Sequence, residues 1–150
     1  MSINTFFWFE SAAEEAATLY TALVPNSRIT DVARDSAGVA FVVSVELDGQ
    51  SVTLMNGGAG HPLTDAASLQ VVVETQEEID RLWDALTEGG APAPCGWLTD
   101  RFGLSWQVTP AVLPTLMSGA NPAKTIAVGT ALRGMSKLDI KTLQDAYDNA

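Results

Sequence analysis

The chain repeats one order of predicted elements, and this order limits its fold more than any other feature. In each half a β-prone strand comes first, a helix follows, and several antiparallel strands complete the unit. The opening strands are Thr5–Phe9 and residues 68–74. A chain of 150 residues has the length of one ordinary domain. The pattern therefore predicts one domain over residues 1–110, made of two similar modules at about 1–60 and 64–110.

Short local patterns predict where the helices begin. A hydroxyl residue followed three positions later by an acidic residue predicts a capping box, in which the two side chains bond free N–H groups of the first helical turn. This capping pattern occurs at Ser11 with Glu14, at Thr75 with Glu78, and at Ser136 with Asp139.

Another local pattern predicts a hairpin. It is an Asp-Gly pair between two apolar stretches, which occurs at Asp48.

After Pro110 the pattern changes to helices. Helical segments are predicted at residues 111–117 and 123–135, and a last helix continues through Tyr147. Residues 111–150 carry four basic and three acidic side chains, so they differ from the acidic remainder of the chain. We expect this helical extension to pack on the two modules or on the partner in a dimer.

The charge of the chain excludes several kinds of partner. Eighteen Asp and Glu residues against eight Lys and Arg give a formal net charge of -10. Because like charges repel, we expect neither nucleic acid nor an anionic membrane surface as a partner. The single cysteine, Cys95, rules out an internal disulfide, and the sequence shows neither a signal peptide pattern nor a membrane span. We expect a cytoplasmic protein.

Several motifs together resemble those of one known family. They include Phe7-Trp8-Phe9, Asn56-Gly57-Gly58, Cys95-Gly96-Trp97-Leu98 and Gly103-Leu104-Ser105-Trp106-Gln107, in this order along the chain. With these motifs the chain is similar to the PhnB-like family, often labelled 3-demethylubiquinone-9 3-methyltransferase-like. That family lies in the vicinal-oxygen-chelate superfamily of glyoxalases, bleomycin resistance proteins and dioxygenases. The resemblance extends over nearly the whole chain, including the helical tail.

The resemblance implies an α+β fold and a homodimer. Two βαβββ modules would form a U-shaped mixed sheet around a cavity, followed by a C-terminal helical tail. In metal-dependent relatives, His or Glu side chains on three strands hold a divalent ion, and the resemblance places these positions at Thr5, Ser68 and Gln107. Neutral side chains are poor ligands for Mn, Fe, Ni or Zn, so we expect neither a metal nor another cofactor.

The methyltransferase label implies a site for S-adenosylmethionine. Such a site usually has a glycine-rich turn between a parallel strand and a helix. Residues 56–60 contain three glycines, but they follow an antiparallel hairpin strand and do not open a helix. The sequence therefore does not support the label.

Alternation along the strands predicts which side chains line the cavity. Leu69, Val71 and Val73 have the spacing of a helix-covered face, so their neighbours point the other way. Such a lining suits a small neutral or aromatic molecule held by hydrogen bonds, unless its polar groups bond one another in a closed core. The pocket candidates are Thr5, Phe7, Phe9, Ser68, Gln70, Glu74, Cys95, Trp97, Ser105 and Gln107.

Three hypotheses about function follow. The first is a metal-independent protein that binds a small organic molecule. The second is a metal-free isomerase or lyase that uses a cavity carboxylate, Glu74 or Asp100, or the thiol of Cys95. The third is a structural or regulatory protein that acts through its dimer surface.

Overall fold

The computed structural model describes Met1 and residues 3–150. These residues form two compact units, Met1–Leu63 and Thr64–Ala150. Each unit contains a four-stranded mixed sheet with one parallel strand pair. The order in each unit is strand, helix and three strands, followed in the second unit by three more helices. The predicted α+β class, with two βαβββ modules and a C-terminal helical tail, is confirmed.

The first unit begins with an aromatic strand at the edge of its sheet. The strands lie in the order β1-β4-β3-β2, with β1 parallel to β4 and the other neighbours antiparallel. A turn at Asp48-Gly49 joins β3 to β4, as predicted. The elements are β1 (Thr5–Phe9), α1 (Ala13–Leu23), β2 (Arg28–Arg34), β3 (Ala40–Leu47) and β4 (Gln50–Asn56).

Helix α1 covers one face of the first sheet. Phe7, Leu54 and Val43 lie in one row across β1, β4 and β3, and all three are buried. On the same face, Asn56 Oδ1 accepts a 2.8 Å hydrogen bond from the Ala13 N–H. This bond ties the first turn of α1 to the end of β4. The fully buried helix residues are Ala13, Ala16, Ala17 and Tyr20.

The capping box predicted at Ser11 and Glu14 is wrong. Helix α1 begins one residue later than that pattern requires, with Ala12 as its N-cap and no side-chain cap bond. Glu14 pairs instead with Arg34 on β2. The acceptor for the first turn comes from Asn56, which is 43 residues away along the chain. A tertiary contact therefore replaces the local one.

The second unit repeats this arrangement around α2. Its strands lie in the order β5-β8-β7-β6, with β5 parallel to β8. Trp106 and Val108 on β8 lie in register with apolar residues of β5 and are buried on one face of the sheet. The elements are β5 (Ser68–Val73), α2 (Gln76–Thr87), β6 (Ala91–Pro92), a 3-10 turn (Pro94–Gly96), β7 (Trp97–Thr99) and β8 (Ser105–Pro110).

Helix α2 begins with the capping box that was predicted. The Thr75 hydroxyl accepts from the Glu78 N–H over 3.2 Å, and the Glu78 carboxylate accepts from the Thr75 N–H over 3.0 Å. Ile79, Leu82 and Leu86 then form the buried stripe of the helix. Here the sequence pattern alone predicts the cap correctly, because all four bonding groups lie within the same turn.

Strand β7 begins at Trp97, two residues after Cys95. Cys95 lies in the 3-10 turn with φ of 64°, and Gly96 follows with φ of 83°. Two successive left-handed residues cannot be part of a strand, which explains why β7 does not begin earlier.

The tail forms three helices with a core of their own. Leu116, Val128, Leu138 and Leu143 are buried together in this part of the chain. The last helix is capped by Asp139, which accepts from the Thr142 N–H over 2.6 Å, so the cap predicted at Ser136 is wrong. No helix in the described part of the chain is long and apolar enough to cross a membrane. The helices are α3 (Leu113–Met117), α4 (Pro122–Arg133) and α5 (Ile140–Asp148).

Candidate functional site

Polar side chains occupy the face of the second sheet that points away from its buried apolar row. Ser68 and Gln70 on β5 lie opposite Ser105 and Gln107 on β8. The Gln107 amide donates to the Ser68 hydroxyl over 3.0 Å. The Gln70 amide donates to the Thr109 hydroxyl over 3.3 Å. In this half of the face the polar groups satisfy one another, as the closed-core alternative predicts.

The same face has a pocket over β7 and the adjacent part of β8. Its volume is about 500 Å³. Strands β7 and β8 form its floor, the 3-10 turn forms one wall, and Asp65 comes from the loop before β5. The lining residues are Asp65, Ala93, Pro94, Cys95, Trp97, Leu98, Thr99 and Ser105.

The polar groups of this pocket differ from those beside them because they have no protein partner. The Ser105 hydroxyl, the Trp97 indole N–H and the Thr99 hydroxyl make no side-chain hydrogen bond to any residue the structure describes. Ser105 is only 2% exposed. No described side-chain N or O atom is both fully buried and unbonded, so the small exposed part of Ser105 includes its hydroxyl. These donors and acceptors are available to a bound molecule.

The wall that contains Cys95 is held from the tail. The Cys95 N–H donates to the Met135 carbonyl over 2.9 Å, and the Gly96 N–H donates to the Ser136 carbonyl over 2.8 Å. The Cys95 thiol is partly exposed. The pocket therefore presents a thiol, an indole, two hydroxyls and, from Asp65, a carboxylate.

The structure brings together only some of the predicted pocket residues. Cys95, Trp97 and Ser105 line the pocket, and Ser68, Gln70 and Gln107 lie on the same face of the sheet. Glu74 does not belong to this group. It lies just after β5 and lines a separate depression with Asp139 and other residues of α5. Its carboxylate is thus not a cavity group of this site.

Phe7 and Phe9 are buried in the first unit. They are 7% and 2% exposed, and they lie on the face that α1 covers, in the same row as Thr5. Phe6 and Trp8 lie on the opposite face, and Phe6 is 56% exposed. All residues of β1 after Thr5 are aromatic, so alternation of apolar and polar residues could not reveal which of them point inward.

Sequence reasoning also missed Asp65 and Thr99. Asp65 lies in a loop that carries no motif, and only the fold brings it to the pocket. Thr99 is two residues after Trp97 on β7, so the alternation that selects Trp97 also selects Thr99. In the first unit, His61 stacks on Trp8 with ring centroids 4.2 Å apart, a contact that no local pattern indicates.

The three positions that the resemblance implies for a metal do not fit one here. Ser68 and Gln107 are bonded to each other, and Thr5 accepts a 3.3 Å hydrogen bond from the Gln50 amide. Hydroxyl and amide groups provide neither the imidazole nor the carboxylate ligands that catalytic divalent ions need. Across Met1 and residues 3–150, no three His, Cys, Asp or Glu side chains lie close enough together to hold a metal ion.

The glycine-rich segment after β4 does not fit a nucleotide-type cofactor either. The Gly57 N–H donates to the Phe9 carbonyl, and the Gly58 N–H donates to the Glu10 carbonyl. The Gly58 carbonyl accepts from the Trp8 indole over 2.8 Å. These backbone groups bond the protein itself, and no helix begins at the segment, so it offers no cradle for S-adenosylmethionine.

Comparison with known proteins identifies relatives of the two modules. Residues 1–109 match the family described as 3-demethylubiquinone-9 3-methyltransferase. The PhnB protein from Bacillus cereus is 34% identical, with 74% of this chain and 100% of that one covered, and the TM-score is 0.69. The family match ends before the helical tail, whereas the motifs predict that the resemblance continues through it.

Two more distant structures share the fold. Protein PA1353 from Pseudomonas aeruginosa is 18% identical, covers 73% of this chain and 97% of its own, and has a TM-score of 0.59. The fosfomycin resistance protein FosX from Listeria monocytogenes is 12% identical, with 72% and 91% covered and a TM-score of 0.54. No match was found among curated proteins.

Proposed function

This chain belongs to the 3-demethylubiquinone-9 3-methyltransferase (PhnB-like) family of the glyoxalase, bleomycin resistance and dioxygenase superfamily, and we propose that it binds a small neutral aromatic molecule without a metal. One observation carries the proposal. On one face of one sheet, the polar groups of β5 and the adjacent part of β8 bond each other, whereas those of the pocket remain available.

The chemistry of the lining supports this class of ligand. The Trp97 ring offers an aromatic surface for stacking, and its N–H and the Ser105 hydroxyl offer hydrogen bonds. Asp65 is the charged residue of the lining, and the chain has a net charge of -10, so an anion is disfavoured. A neutral aromatic amide or alcohol satisfies these groups.

Binding is better supported than metal-free catalysis. An isomerase or lyase would need an acid or base beside the reacting atoms. Glu74, one of the carboxylates proposed for that role, lies in a different depression from Cys95. The Asp100 carboxylate accepts two hydrogen bonds from its own turn and a third from the Trp106 indole on β8. Cys95 contributes to the pocket as a wall residue in this proposal.

The test uses three ligands of nearly equal size that differ in charge: benzamide, benzoate and benzylammonium. Titration is followed by the NMR signals of the four indole N–H groups. We expect benzamide to shift the Trp97 signal and benzoate to leave it unchanged. If no ligand shifts the Trp97 signal, or if benzoate binds as well as benzamide, the proposal is wrong.

Two variants test whether benzamide binds in the pocket. Trp97→Ala removes the stacking surface, and Ser105→Ala removes the buried hydroxyl. Each should raise the dissociation constant of benzamide about fivefold, because one aromatic contact or hydrogen bond contributes about 1 kcal/mol. Because Trp97→Ala lacks the Trp97 indole signal, the dissociation constants of the variants are measured from the backbone amide signals of β7. Ser51→Ala, on an exposed position of β4, is the matched control for Ser105 and should change nothing. Equal affinity in all three variants would mean that benzamide binds outside this pocket.

A further inference from the structure

We propose that the C-terminal tail is a positioning element of the pocket, and that its segment 135–138 holds the Cys95–Gly96 wall in the shape that receives the ligand. This inference rests on the proposed function. It assigns a role in binding to a part of the chain that lies outside the family match at residues 1–109.

The wall has a backbone conformation that needs outside support. Cys95 has φ of 64° and ψ of 32°, in the left-handed region that residues with a β-carbon rarely adopt. Gly96 continues in the same region with φ of 83°. Neither residue belongs to a strand, so no strand pairing holds them there, although Gly96 lies close to the Val108 carbonyl of β8. Some other contact must stabilise this conformation.

The tail provides that contact. Two consecutive carbonyls, those of Met135 and Ser136, accept the N–H groups of Cys95 and Gly96 over 2.9 and 2.8 Å. Leu138 also packs against Gly96, where a β-carbon would lie 3.0 Å from the Leu138 Cδ1 atom. The tail segment thus meets the wall at both successive left-handed residues.

Helix α2 in turn fixes the tail segment. The Gln76 side chain donates to the Leu138 carbonyl over 3.1 Å and accepts from the Ile140 N–H over 2.9 Å. Lys137 pairs with Asp80 on the same helix over 3.0 Å. Hydrogen bonds from Gln76 and Lys137 lower the pKa of Asp80 below its ordinary value. Contacts therefore run from α2 through residues 137–140 to the pocket wall.

The tail is also able to hold a defined shape. Its buried leucines and Val128 form a core, and Leu138 belongs to that core while contacting Gly96. A change in the packing of the tail is thus transmitted to Gly96 directly. The element that supports the pocket lies outside residues 1–109, the part of this chain that matches the family.

The test loosens the tail without touching the pocket. Gln76→Ala removes the bonds to Leu138 and Ile140, together with a 3.1 Å bond to Asp80 within α2. The matched control is Gln144→Ala, because the Gln144 amide bonds Asp148 within α5 and is not part of the segment that meets the wall. Amide hydrogen exchange measures whether the Cys95 and Gly96 N–H groups remain bonded, and benzamide titration measures the pocket.

We expect exchange at Cys95 and Gly96 to accelerate about tenfold in Gln76→Ala, and benzamide to bind correspondingly more weakly. Gln144→Ala should leave both quantities unchanged, as should amides of the first sheet in either variant. If Gln76→Ala does not fold, Lys137→Gln weakens the same attachment more gently and should give a smaller change in the same direction.

Two different failures can be distinguished. Unchanged exchange at Cys95 and Gly96 in Gln76→Ala, or faster exchange with unchanged benzamide affinity, would overturn the positioning role. Absence of benzamide binding to the unaltered protein would instead overturn the proposed function, whatever the exchange rates show.

Discussion

Trp106 donates its indole N–H to the carboxylate of Asp100 over 2.9 Å, and Asp100 is 3% exposed. The other oxygen of Asp100 accepts from the N–H groups of Phe102 and Leu104. The same turn occurs in the first unit, where Asp35 Oδ1 accepts from the N–H groups two and four residues later. The two modules therefore share a turn, and only the second buries it against a tryptophan.

This pair of turns gives a matched test of the buried bond. In Asp100→Asn the remaining oxygen can still bond the backbone, but the new NH₂ group faces the Trp106 N–H, and two donors cannot bond. We expect a loss of about 1–3 kcal/mol in the free energy of unfolding, measured by urea denaturation. Asp35→Asn keeps both backbone bonds in an exposed turn and should cost less than about 0.5 kcal/mol. Equal losses would mean that Trp106 adds nothing.

The second module could be predicted from the sequence better than the first. Along β5 the contrast between Leu69 and Gln70 indicates which face is covered, and the structure has the same assignment. Strand β1 has no such contrast, so the sequence does not indicate that the face of Phe7 is the one that α1 covers. Where the side chains on the two faces of a strand differ in polarity, their alternation indicates which face is buried.

The rest of the pocket depends on contacts that the spacing of residues along the sequence does not indicate. The Cys95 wall is held by backbone carbonyls of the tail, and any residue type has such carbonyls. Likewise, Asn56 provides the acceptor for α1 that Ser11 was expected to provide. These contacts join residues about 40 apart in sequence, so only the folded chain reveals them.

The Glu78 carboxylate should make stability depend on pH in acid. Bonds from the Thr75 N–H and hydroxyl lower the pKa of Glu78 below its ordinary value of 4.5. Between the pKa of Glu78 in the folded state and its pKa in the unfolded state, the unfolded chain binds more protons. The contribution of this carboxylate to the free energy of unfolding is therefore complete above pH 4.5 and is lost as pH falls through the pKa of the folded state. Protonation of Glu78 thus weakens the capping box.

The measurement compares Glu78→Gln with the unaltered protein in urea. Glu78→Gln should be less stable at about pH 7, and the difference should shrink towards about pH 3, where the carboxylate of the unaltered protein is protonated. Glu77→Gln is the control. Glu77 lies in the same helical turn as Glu78 but accepts no hydrogen bond from a described residue. A difference for Glu78→Gln that is independent of pH would contradict the assignment.

Gly57 leaves no room for a side chain beside Trp8. A β-carbon there would lie 2.2 Å from the Trp8 Cε2 atom, so Gly57→Ala must displace the indole that bonds the Gly58 carbonyl. We expect a loss of about 1–3 kcal/mol and a changed tryptophan emission spectrum. Gly119→Ala is the control, because its β-carbon would make ordinary contacts of 3.5 and 3.8 Å with Tyr147 Oη and Cε2. If both variants are equally stable, Trp8 has space that the structure does not show.

Divalent metals should not stabilise this protein. A ligand that binds only the folded state raises the melting temperature by mass action. Because Thr5, Ser68 and Gln107 offer hydroxyl and amide groups alone, we expect the same melting temperature with Mn²⁺, Co²⁺, Ni²⁺ or Zn²⁺ as with a chelator. Elemental analysis of the purified protein provides the second measurement. A stoichiometric metal together with a shift in melting temperature would contradict the metal-independent function. If the shift persisted in Cys95→Ala, the metal ligands would lie outside the pocket wall; if it disappeared, the thiol would be one of them.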